Sequence, residues 1–564
     1  MTSDISVGTA VTSGSRTILS GTISGLDTAS LIQNAVDSNN ASADRLDVRI
    51  NENQTEIDAY QEFFGLANNV QTALNTLKSS TSVASDSTSV FDQRTANLTS
   101  TGAEATGLLD ISINEGAPQG TYQIVVNQKA EAFSTSSTST SDKDAAMGLV
   151  GNFDIGLDGF TATTIDITAT DSLQDLADAI NADTENSGVS ASILQVSETD
   201  FQIIITGTQT NTAMSVTTNN GNVLQNMGIV DVGDVFEVGQ IIQNEQEAQI
   251  TFDGTPITRD DNTFDDLITG IEFDIRASDP ASTITIDVNN DVASAKTEIE
   301  SFLESFNALR DFIIQNQQVN TDGTIPEEAV LFGDNLLGTL SNSIFNIINT
   351  FRSNNGNVTT FADLGIGFDD NNRLILENPT TLDDALLNDF TDIQNFFRTE
   401  FTIDDSNLGV IANTSTQESI ELELDIVMNL DGSIASASGG GTAFIINGTS
   451  ITAPSGSIYE GITFAYVGDN DATISISMQA GIADRLNNAI EGYTNPTTGL
   501  IQNEIDTITS TNEDLTEEAE EIRTRGEEIR EREISRYSDL EAALARAESL
   551  RRTLTALLGL DNDN

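Results

Sequence analysis

The stretch IQNEIDTITSTNEDLTEEAEEIRTRGEEIRER, residues 501–532, decides how this chain is built. Its large apolar residues recur every seven positions, which is the spacing of a coiled-coil seam. This first heptad line consists of Ile501, Ile508, Leu515, Ile522 and Ile529. Glu and Arg residues four positions apart favour the same helix. The sequence therefore predicts a long C-terminal helix that packs against another helix.

A second heptad line runs beside the first and continues almost to the C-terminus. Its apolar members are Ile505, Ala519, Leu540, Ala547 and Leu554, with interruptions at Asn512, Gly526 and Glu533. Eight of the 23 basic residues lie between positions 523 and 552. This part of the chain is therefore close to neutral, whereas the rest is acidic.

The other end of the chain also has helical spacing. Apolar residues three and four positions apart form one stripe, with polar breaks at Asn53 and Gln71; the stripe consists of Leu46, Ile50, Ile57, Tyr60, Phe64, Ala67, Leu74 and Leu77. All seven prolines lie between positions 118 and 496, so neither end contains a residue that breaks a helix. We expect long helices at both ends.

Between the ends, the apolar period changes from helical spacing to alternation. Alternating segments at residues 122–126, 165–167, 201–205 and 284–288 predict short strands. Ser172 and Asp175 have the spacing of a capping box, which predicts a helix from Leu173. The Ser/Thr tract at 134–141 is interpreted as a linker or loop. Helical spacing returns at 299–313 and 337–351.

Two segments far apart in the chain resemble each other. Residues 250–258 (ITFDGTPIT) match residues 444–452 (FIINGTSIT), and each is followed by a Gly-Ile-x-Phe step and an alternating strand. Asp-Gly and Asn-Gly are typical of tight hairpin turns. The sequence predicts two similar β-units, the second opened by a flexible tract at 438–441.

Composition excludes several classes of protein. The 564 residues include 88 Asp and Glu but only 23 Lys and Arg, for a formal net charge of −65. So negative a surface repels nucleic acid and anionic membranes. With no His or Cys, the chain has no Ser-His-Asp triad, Cys nucleophile or ordinary zinc site. We therefore expect no enzyme, and we assign no catalytic, cofactor-binding or metal-binding residue.

One segment has the ligand spacing of a calcium loop. Asp287, Asn289 and Asp291 occupy alternate positions, and Glu298 stands at the twelfth. The sixth position is Val292, where such a loop needs Gly for its sharp turn. We expect instead a strand ending near Val288 and an Asp291 that caps the following helix.

The sequence shows neither a Sec-type signal peptide nor a membrane-spanning segment. Residues 1–20 are rich in Ser and Thr and lack the apolar region of a Sec-type signal peptide. No run approaches the roughly 20 apolar residues needed to cross a bilayer. We expect no membrane insertion.

The segment ISGLDTASLI, residues 23–32, resembles the opening of the flagellar filament cap proteins, the hook-associated protein 2 family. Weaker similarities follow in that family's order, at residues 58–60, 120–130, 179–181, 188–191, 299–309, 364–367 and 499–501. The family usually has Glu and Pro-Leu before its first long helix, where this chain has Asn39, Ser42 and Ala43. The ordered set covers nearly the whole chain.

The resemblance implies an α+β multidomain protein, in which long terminal helices form a coiled-coil stalk and β-rich head domains are inserted between them. We divide the chain accordingly into 1–45, an N-terminal export and coiled-coil segment; 46–100, the N-terminal part of a helical leg; 101–150, the first part of a β-rich head domain; 151–240, a second head domain with an α+β fold; 241–292, the second part of the first head domain; 293–405, the central part of the leg; 406–480, an additional β-rich unit; and 481–564, the C-terminal leg and coiled coil.

The resemblance also implies a function and partners. The chain would form a homo-oligomeric ring, commonly a pentamer, at the distal tip of the bacterial flagellum, where it promotes the folding and insertion of flagellin. Its partners would be flagellin, hook–filament junction proteins, the flagellar type III export apparatus and a chaperone. Binding of the head to a host surface or mucin is left open.

Two other classes stay open on the residues alone. Another axial flagellar protein would also have helical ends, but the flagellin-type S-L-R-I-N-S-A segment is absent. An acidic cell-surface adhesin would explain the acidic β-units, although the C-terminal coiled coil argues against tandem repeats there.

We expect oligomer or filament contacts in the two terminal helices. At the level of the region, the residues are Leu31, Ile32, Leu46, Tyr60, Phe64, Ile508, Leu515 and Ile522. The alternative for each is packing within the chain's own helices.

Low lysine content and a large acidic excess are typical of proteins that meet concentrated salt. We predict that the melting temperature rises between about 0.1 M and 1 M NaCl, since the screening length falls from about 10 Å to about 3 Å. Thermal unfolding followed by circular dichroism measures this. A melting temperature that does not rise would count against a saline habitat.

Overall fold

A computed structural model of the protein describes residues 9–13, 16–20, 23–78, 89–353 and 356–557. The predicted export segment lies outside these ranges at residues 1–8, 14–15 and 21–22. Within the described ranges, every helix lacks the combination of length and apolarity that a bilayer crossing requires.

The helices are α1 (Thr28–Leu77), α2 (Ala105–Leu108), α3 (Leu173–Asn181), α4 (Thr184–Ser187), α5 (Val223–Asn226), α6 (Val292–Gln317), α7 (Asn335–Thr350), α8 (Pro379–Asn388), α9 (Phe390–Phe397), α10 (Ile482–Thr494) and α11 (Leu500–Leu557). Short 3₁₀ helices lie at Val90–Asp92 and Phe361–Leu364.

The strands are β1 (Thr9–Ser13), β2 (Arg16–Ser20), β3 (Arg94–Ser100), β4 (Leu109–Ile113), β5 (Gly120–Gln128), β6 (Ser134–Ser136), β7 (Gly151–Leu157), β8 (Thr163–Ile167), β9 (Val189–Ser197), β10 (Asp200–Gly207), β11 (Met214–Asn220), β12 (Ile241–Gln243), β13 (Ala248–Phe252), β14 (Thr255–Arg259), β15 (Thr263–Ile268), β16 (Ile271–Ile275), β17 (Ile284–Asn290), β18 (Ile366–Phe368), β19 (Leu374–Leu376), β20 (Glu400–Ile403), β21 (Leu408–Asn413), β22 (Ser419–Met428), β23 (Ile434–Gly439), β24 (Thr442–Ala443), β25 (Ile445–Asn447), β26 (Ser450–Thr452), β27 (Ile462–Tyr466) and β28 (Ala472–Gln479).

The chain forms two compact units. The middle unit is Thr88–Ala295, and the terminal unit combines Met1–Ser87 with Lys296–Asn564. Long helices at the two ends with β-rich parts between them in sequence confirm the predicted α+β multidomain class.

The middle unit contains two hydrophobic cores. Sheets of order β14-β13-β5-β17-β3 and β15-β16-β4 surround the first, with Ile124, Phe273 and Ile286 at 0–1% exposure. Side chains alternate between buried and less buried positions along β16 and β17, because successive side chains point to opposite faces of a strand. The alternating segments predicted at 122–126 and 284–288 are thus confirmed as strands.

The second core lies among sheets of order β12-β6-β10-β9 and β11-β7-β8 and helix α3. Ser172 and Asp175 form the predicted capping box: the Ser172 Oγ accepts from the Asp175 backbone N–H, and the Asp175 carboxylate accepts from the Ser172 N–H at 2.9 Å. Leu176 and Ile180 on α3 are fully buried. The pattern therefore predicted both the start and the inward face of this helix.

The prediction of a linker or loop at 134–141 is wrong at its beginning. Residues 134–136 form β6, which pairs with β10 and β12. Thr135 is fully buried and its hydroxyl donates to the Gln240 carbonyl at 3.2 Å, while the Ser137 hydroxyl accepts from the Ile203 N–H at 3.1 Å. Polar side chains fit this core because they are hydrogen-bonded there.

The terminal unit has a β-rich part of its own. Sheets of order β20-β28-β22-β23-β24 and β21-β27-β26-β25 enclose a core that includes Leu424, Ile451, Phe464 and Ile474. The predicted hairpins of the two β-units are confirmed as β13–β14 and β25–β26. However, the first hairpin shares a sheet with β17, whereas the second shares one with β27.

The two hairpins also turn at different places. Phe252 pairs with Thr255, so the turn is Asp253-Gly254, and both residues have positive φ angles of 46° and 80°. Asn447 pairs with Ser450, so the second turn is Gly448-Thr449. The turn has moved by one residue between two segments that match in sequence.

The tract at 438–441 is not a flexible opening segment, and that prediction is wrong. Gly439 pairs with Thr442, which makes Gly440-Gly441 the two-residue turn between β23 and β24. Both glycines have positive φ, 57° and 79°, as a type I′ turn requires. The glycines close a hairpin in the middle of the β-rich part.

Each β-rich part begins and ends on neighbouring segments of chain. Arg94 pairs with Asn290 on the first and last strands of the middle unit. Inside that unit, an isolated bridge joins Glu131 to Gln246, on either side of the second core. In the terminal unit, Glu400 pairs with Gln479. The chain therefore leaves each β-rich part beside the place where it entered.

Replacing Gly440 with Ala should destabilise the hairpin more than replacing Gly441. A Cβ at position 440 would lie 2.1 Å from the Tyr459 hydroxyl, whereas one at 441 would meet no atom within 4 Å. Both changes strain a left-handed backbone by about 1–2 kcal/mol, and only Gly440→Ala adds overpacking of about 1–3 kcal/mol. Chemical denaturation of the two variants gives the difference, and equal losses would contradict the steric argument.

Candidate functional site

Helices α1 and α11 pair with each other in antiparallel orientation. The Asn53 side-chain amide donates to the Asn512 Oδ1 at 2.8 Å, and the Asn39 amide donates to the Ile522 carbonyl at 2.8 Å. Residues later in α1 therefore lie beside residues earlier in α11. The partner of the predicted coiled-coil helix is therefore the helix at the other end of the same chain.

Apolar residues fill the seam between the two helices. On α11, Ile501, Ile505, Ile508, Ala519 and Ile522 are all at most 8% exposed. On α1, Ile32, Val36, Ala43 and Ile57 are at most 5% exposed. The heptad spacing predicted this face correctly because side chains at that spacing lie along one side of a helix.

The polar breaks at Asn53, Gln71 and Asn512 are hydrogen-bonded to polar residues of the facing helices. Asn53 on α1 meets Asn512 on α11, and Gln71 accepts a hydrogen bond at 2.9 Å from the Thr494 hydroxyl of α10. A polar pair in an apolar seam loses its hydrogen bond if the helices slide past one another. These pairs therefore fix the register of α1 against α10 and α11.

Gly526, the second break on α11, is buried beside Asn40. A Cβ at this position would lie 2.4 Å from the Asn40 Oδ1. The neighbouring Asn39 amide bonds to the backbone of α11, as described above. The break therefore makes room for two polar residues of α1 that would not fit beside a larger side chain.

Residues 23–30 join the start of α1 to α11 through hydrogen bonds. Glu541, only 7% exposed, accepts hydrogen bonds from the Ile23 and Ser24 N–H groups at 3.1 and 3.2 Å and from the Ser24 hydroxyl. Asp27 caps α1 by accepting from the Ser30 N–H and hydroxyl. These hydrogen bonds hold the pKa of Asp27 below its ordinary value. Sequence reasoning missed Glu541, because an acidic residue on a charged helix carries no distinguishing signal.

Charge is distributed unevenly along the pair. Residues 51–77 of α1 contain four carboxylates and residues 500–521 of α11 contain eight, with no base in either segment. In the other half of the pair, Arg523 bonds to Asp47, and Arg530 donates to the Gln33 side chain at 3.2 Å. One half of the helix pair is therefore strongly negative and the other is nearly balanced.

A group of acidic residues surrounds Tyr60 in the negative half. The Tyr60 hydroxyl donates to Asp334, whose other oxygen accepts from the Leu336 N–H at 2.6 Å and caps α7. Burial, together with this hydrogen bond, raises the pKa of Tyr60. Burial also raises the pKa of Glu56, and the charges of Glu504 and Asp334 raise it further.

The predicted interface residues fall into three groups by exposure. Ile32, Tyr60, Ile508 and Ile522 are at most 8% exposed within the terminal unit. Leu46, Phe64 and Leu515 are half-buried, and Leu46 packs beside Ile522 against Ala43 and Ala519. Leu31 is 43% exposed. The structure brings Leu46 and Ile522 together in one cluster. Leu31 is the most exposed of the eight predicted residues.

The stripe predicted on α1 omits a fully buried aromatic residue. Phe63, rather than Phe64, is completely buried, and its ring stacks on Phe312 of α6 with centroids 5.9 Å apart. A signal was present, since Phe63, Ala67, Val70, Leu74 and Leu77 keep the three- and four-residue spacing of a helix face.

The segment with calcium-loop spacing does not form a loop. Strand β17 continues to Asn290, and Asp291 caps α6 by accepting from the Ser294 N–H at 2.9 Å and hydroxyl at 2.7 Å. The predicted cap is confirmed, with the strand two residues longer than expected. Across the described residues, no group of three or more carboxylates is arranged to hold a metal ion.

Comparison with known proteins gives matches to family models in three places. A model of the flagellar hook-associated protein 2 C-terminus matches residues 245–549, one of its N-terminus matches 24–133, and one of the flagellin hook IN motif matches 152–209. The C-terminal model alone covers more than half of the chain.

Individual relatives are distant in sequence. Flagellar hook-associated protein 2 of Aeromonas caviae is 26% identical over 51% of this chain and 62% of its own length. The B-type protein of Pseudomonas aeruginosa is 27% identical over 61% of this chain and 72% of its own length. A crystal structure of the flagellar cap protein FliD D1-D2-D3 domains from Escherichia coli covers 80% of this chain and 99% of that chain, at 19% identity and a TM-score of 0.49.

Replacing Glu56 with Gln should stabilise the terminal unit at neutral pH. The folded pKa of Glu56 lies above its ordinary value of 4.5, so its contribution to stability is lost as pH rises through the folded pKa. We expect a gain of a few tenths of a kcal/mol, on the order seen for partly exposed charge pairs. Thermal unfolding followed at 222 nm, at pH values from about 4 to 7, measures this gain.

The control is Glu52→Gln, which removes an exposed carboxylate one turn earlier on the same helix. The stability gain of the Glu56 variant over this control should increase as pH rises. That difference in stability should shrink in high salt. An excess that is constant from pH 4 to 7 would contradict the electrostatic cause.

Proposed function

Because this chain belongs to the flagellar hook-associated protein 2 family, we propose that it forms the cap at the distal tip of a bacterial flagellar filament. The cap would lie outside the cell and would act as a homo-oligomer that binds flagellin. The observation that carries the proposal is the match of family models to residues 24–133 and 245–549 in chain order. The chain covers 62% of the Aeromonas caviae relative, so the function of the whole relative is carried over as a proposal.

The architecture supports a role based on binding rather than chemistry. The two ends of the chain pair as α1 and α11, and the β-rich parts are inserted between them. The chain contains no His or Cys to act as acid, base or nucleophile. We infer that it is not an enzyme and that shape and binding energy guide incoming flagellin subunits into place.

We propose that the helical segments act as the legs of the cap and the β-rich parts as its head, with the boundaries predicted above. The ring would be commonly pentameric, and further partners would be hook–filament junction proteins, the type III export apparatus and a chaperone. Of the predicted interface residues, Leu31 is the strongest candidate for contact with a neighbour, since Ile32 and Ile522 are already buried in the chain's own helix pair.

Deletion of the gene should leave hooks without filaments and release unpolymerised flagellin into the medium. Without a cap, exported subunits would diffuse away before they join the filament. Immunoblotting of flagellin in the medium and electron microscopy of the cells measure both effects. Normal filaments in the deletion strain would contradict the proposal.

Complementation tests the surface assigned to Leu31. Leu31→Asp should restore filaments poorly, because it puts a charge on a surface proposed to become buried. Leu387→Asp changes a leucine that is 69% exposed on α8 and serves as the matched control. Equal restoration by the two variants would remove Leu31 from the interface without affecting the cap proposal.

A further inference from the structure

The coiled-coil seam of α11 continues past the part of the helix that α1 covers. Leu550 stands on the first heptad line and Leu554 on the second, and they are 62% and 55% exposed. Leu540, also on the second line, is 40% exposed. The apolar stripe that binds α1 earlier in the helix is thus exposed at these three leucines, although the neighbouring Glu541 is buried against Ser24. We call residues 540–557 the free end of α11.

The free end is also the basic part of an acidic protein. It contains three arginines and two glutamates, whereas residues 500–521 of the same helix contain eight carboxylates and no base. The side chains of Arg551 and Arg552 are 73% and 77% exposed, and their ion pairs are with Glu548 of the same helix. Exposed pairs of this kind contribute little to stability, so these arginines can exchange partners readily.

A groove of about 610 Å³ lies along the negative half of the α1–α11 pair. Half-buried Ile50 is the accessible apolar part of its floor, above Ile57 and Ile505, which are 5% and 8% exposed. Exposed Glu513, Glu517 and Glu520 line its edge. We call this feature the acidic groove. It has the apolar floor and the negative edge that suit a basic amphipathic helix.

The free end and the acidic groove of one molecule cannot meet. The contact between Asn53 and Asn512 places the groove residue Gln54 beside position 512. Leu554 lies 42 residues further along the unbroken helix α11, or roughly 63 Å at 1.5 Å per residue. The helix that fits the groove must therefore come from another molecule.

We propose that the free end of α11 of one copy packs into the acidic groove of a second copy of this chain. Leu550 and Leu554 would pack over Ile50, and Arg551 and Arg552 would face Glu517 and Glu520. The result is a three-helix contact between two copies. This inference rests on the proposed homo-oligomeric cap and specifies one of its contacts.

The proposed contact has a direction. The free end and the groove are different parts of the chain, so each copy donates a helix to one neighbour and accepts one from another. Contacts of this heterologous kind form a ring when the rotation between copies closes. Charge also selects the partner, since two acidic grooves repel one another and two basic ends do likewise.

Directed disulfide formation tests the contact in the full chain. The protein has no cysteine, so an introduced pair reports only on itself. Chains with Leu554→Cys are mixed with chains that have Gln54→Cys, at a concentration where sedimentation shows oligomers, and are mildly oxidised. The control uses Thr55→Cys, an exposed position on α1 that does not line the groove.

We expect at least a fivefold excess of the mixed disulfide with Gln54→Cys over the Thr55→Cys control. Equal yields in the two mixtures would overturn the contact, as would efficient disulfide formation by Leu554→Cys chains alone, since that indicates free ends paired with each other. Oligomers that form without the mixed disulfide overturn this contact and leave the cap proposal standing. A chain that stays monomeric at every concentration removes both the contact and the proposed homo-oligomer.

A charge exchange provides a second measurement without cysteine. Arg551→Glu with Arg552→Glu should shift the chain from oligomer toward monomer, whereas Arg536→Glu, 76% exposed on the same helix outside the free end, should not. Adding Glu517→Arg and Glu520→Arg to the double variant should restore oligomers. An equal shift from the Arg536 control, or no restoration by the groove variants, would overturn the proposed pairing.

Discussion

The antiparallel pairing of α1 with α11 is the constraint on which the terminal unit depends. It brings together residues nearly five hundred positions apart. The chain between them must therefore leave the end of one helix and return to the start of the other beside it. Polar contacts fix the register of the pair: Asn53 with Asn512, and Asn39 with the backbone at Ile522. The apolar seam supplies most of the stability, and these few polar groups determine which residues face each other.

The predictions from sequence succeeded where one periodic signal determines structure. Heptad spacing identified the buried face of α11, and the Ser172–Asp175 spacing identified the start of α3. The same spacing does not identify the partner helix, because any helix with an apolar stripe of similar length could pack against α11. That is why the pairing of Asn53 with Asn512, and the burial of Glu541 against Ser24, became visible only in the structure.

The failures have a shared physical cause. Residues 134–141 and 438–441 have compositions typical of loops, yet both contribute to sheets. Thr135 is buried because its hydroxyl finds the Gln240 carbonyl, and Gly440 occupies a tight turn because its φ is positive and Tyr459 leaves no room for a Cβ. Composition reflects the average free energy needed to order or bury a type of residue. Specific hydrogen-bond or packing partners in the fold offset that free energy. The burial of Phe63 in place of Phe64 shows the same limit on a helix, where adjacent aromatic residues compete for one face.

The paired strands at the ends of each β-rich part have a consequence for how such a chain can change over evolutionary time. Because Arg94 lies opposite Asn290, Glu131 opposite Gln246 and Glu400 opposite Gln479, the chain between each pair leaves the fold and returns to nearly the same point. Its length can grow or shrink without altering the separation of the segments that flank it. The β-rich parts thus behave as nested modules, which selection can exchange or enlarge while the terminal helices keep their register.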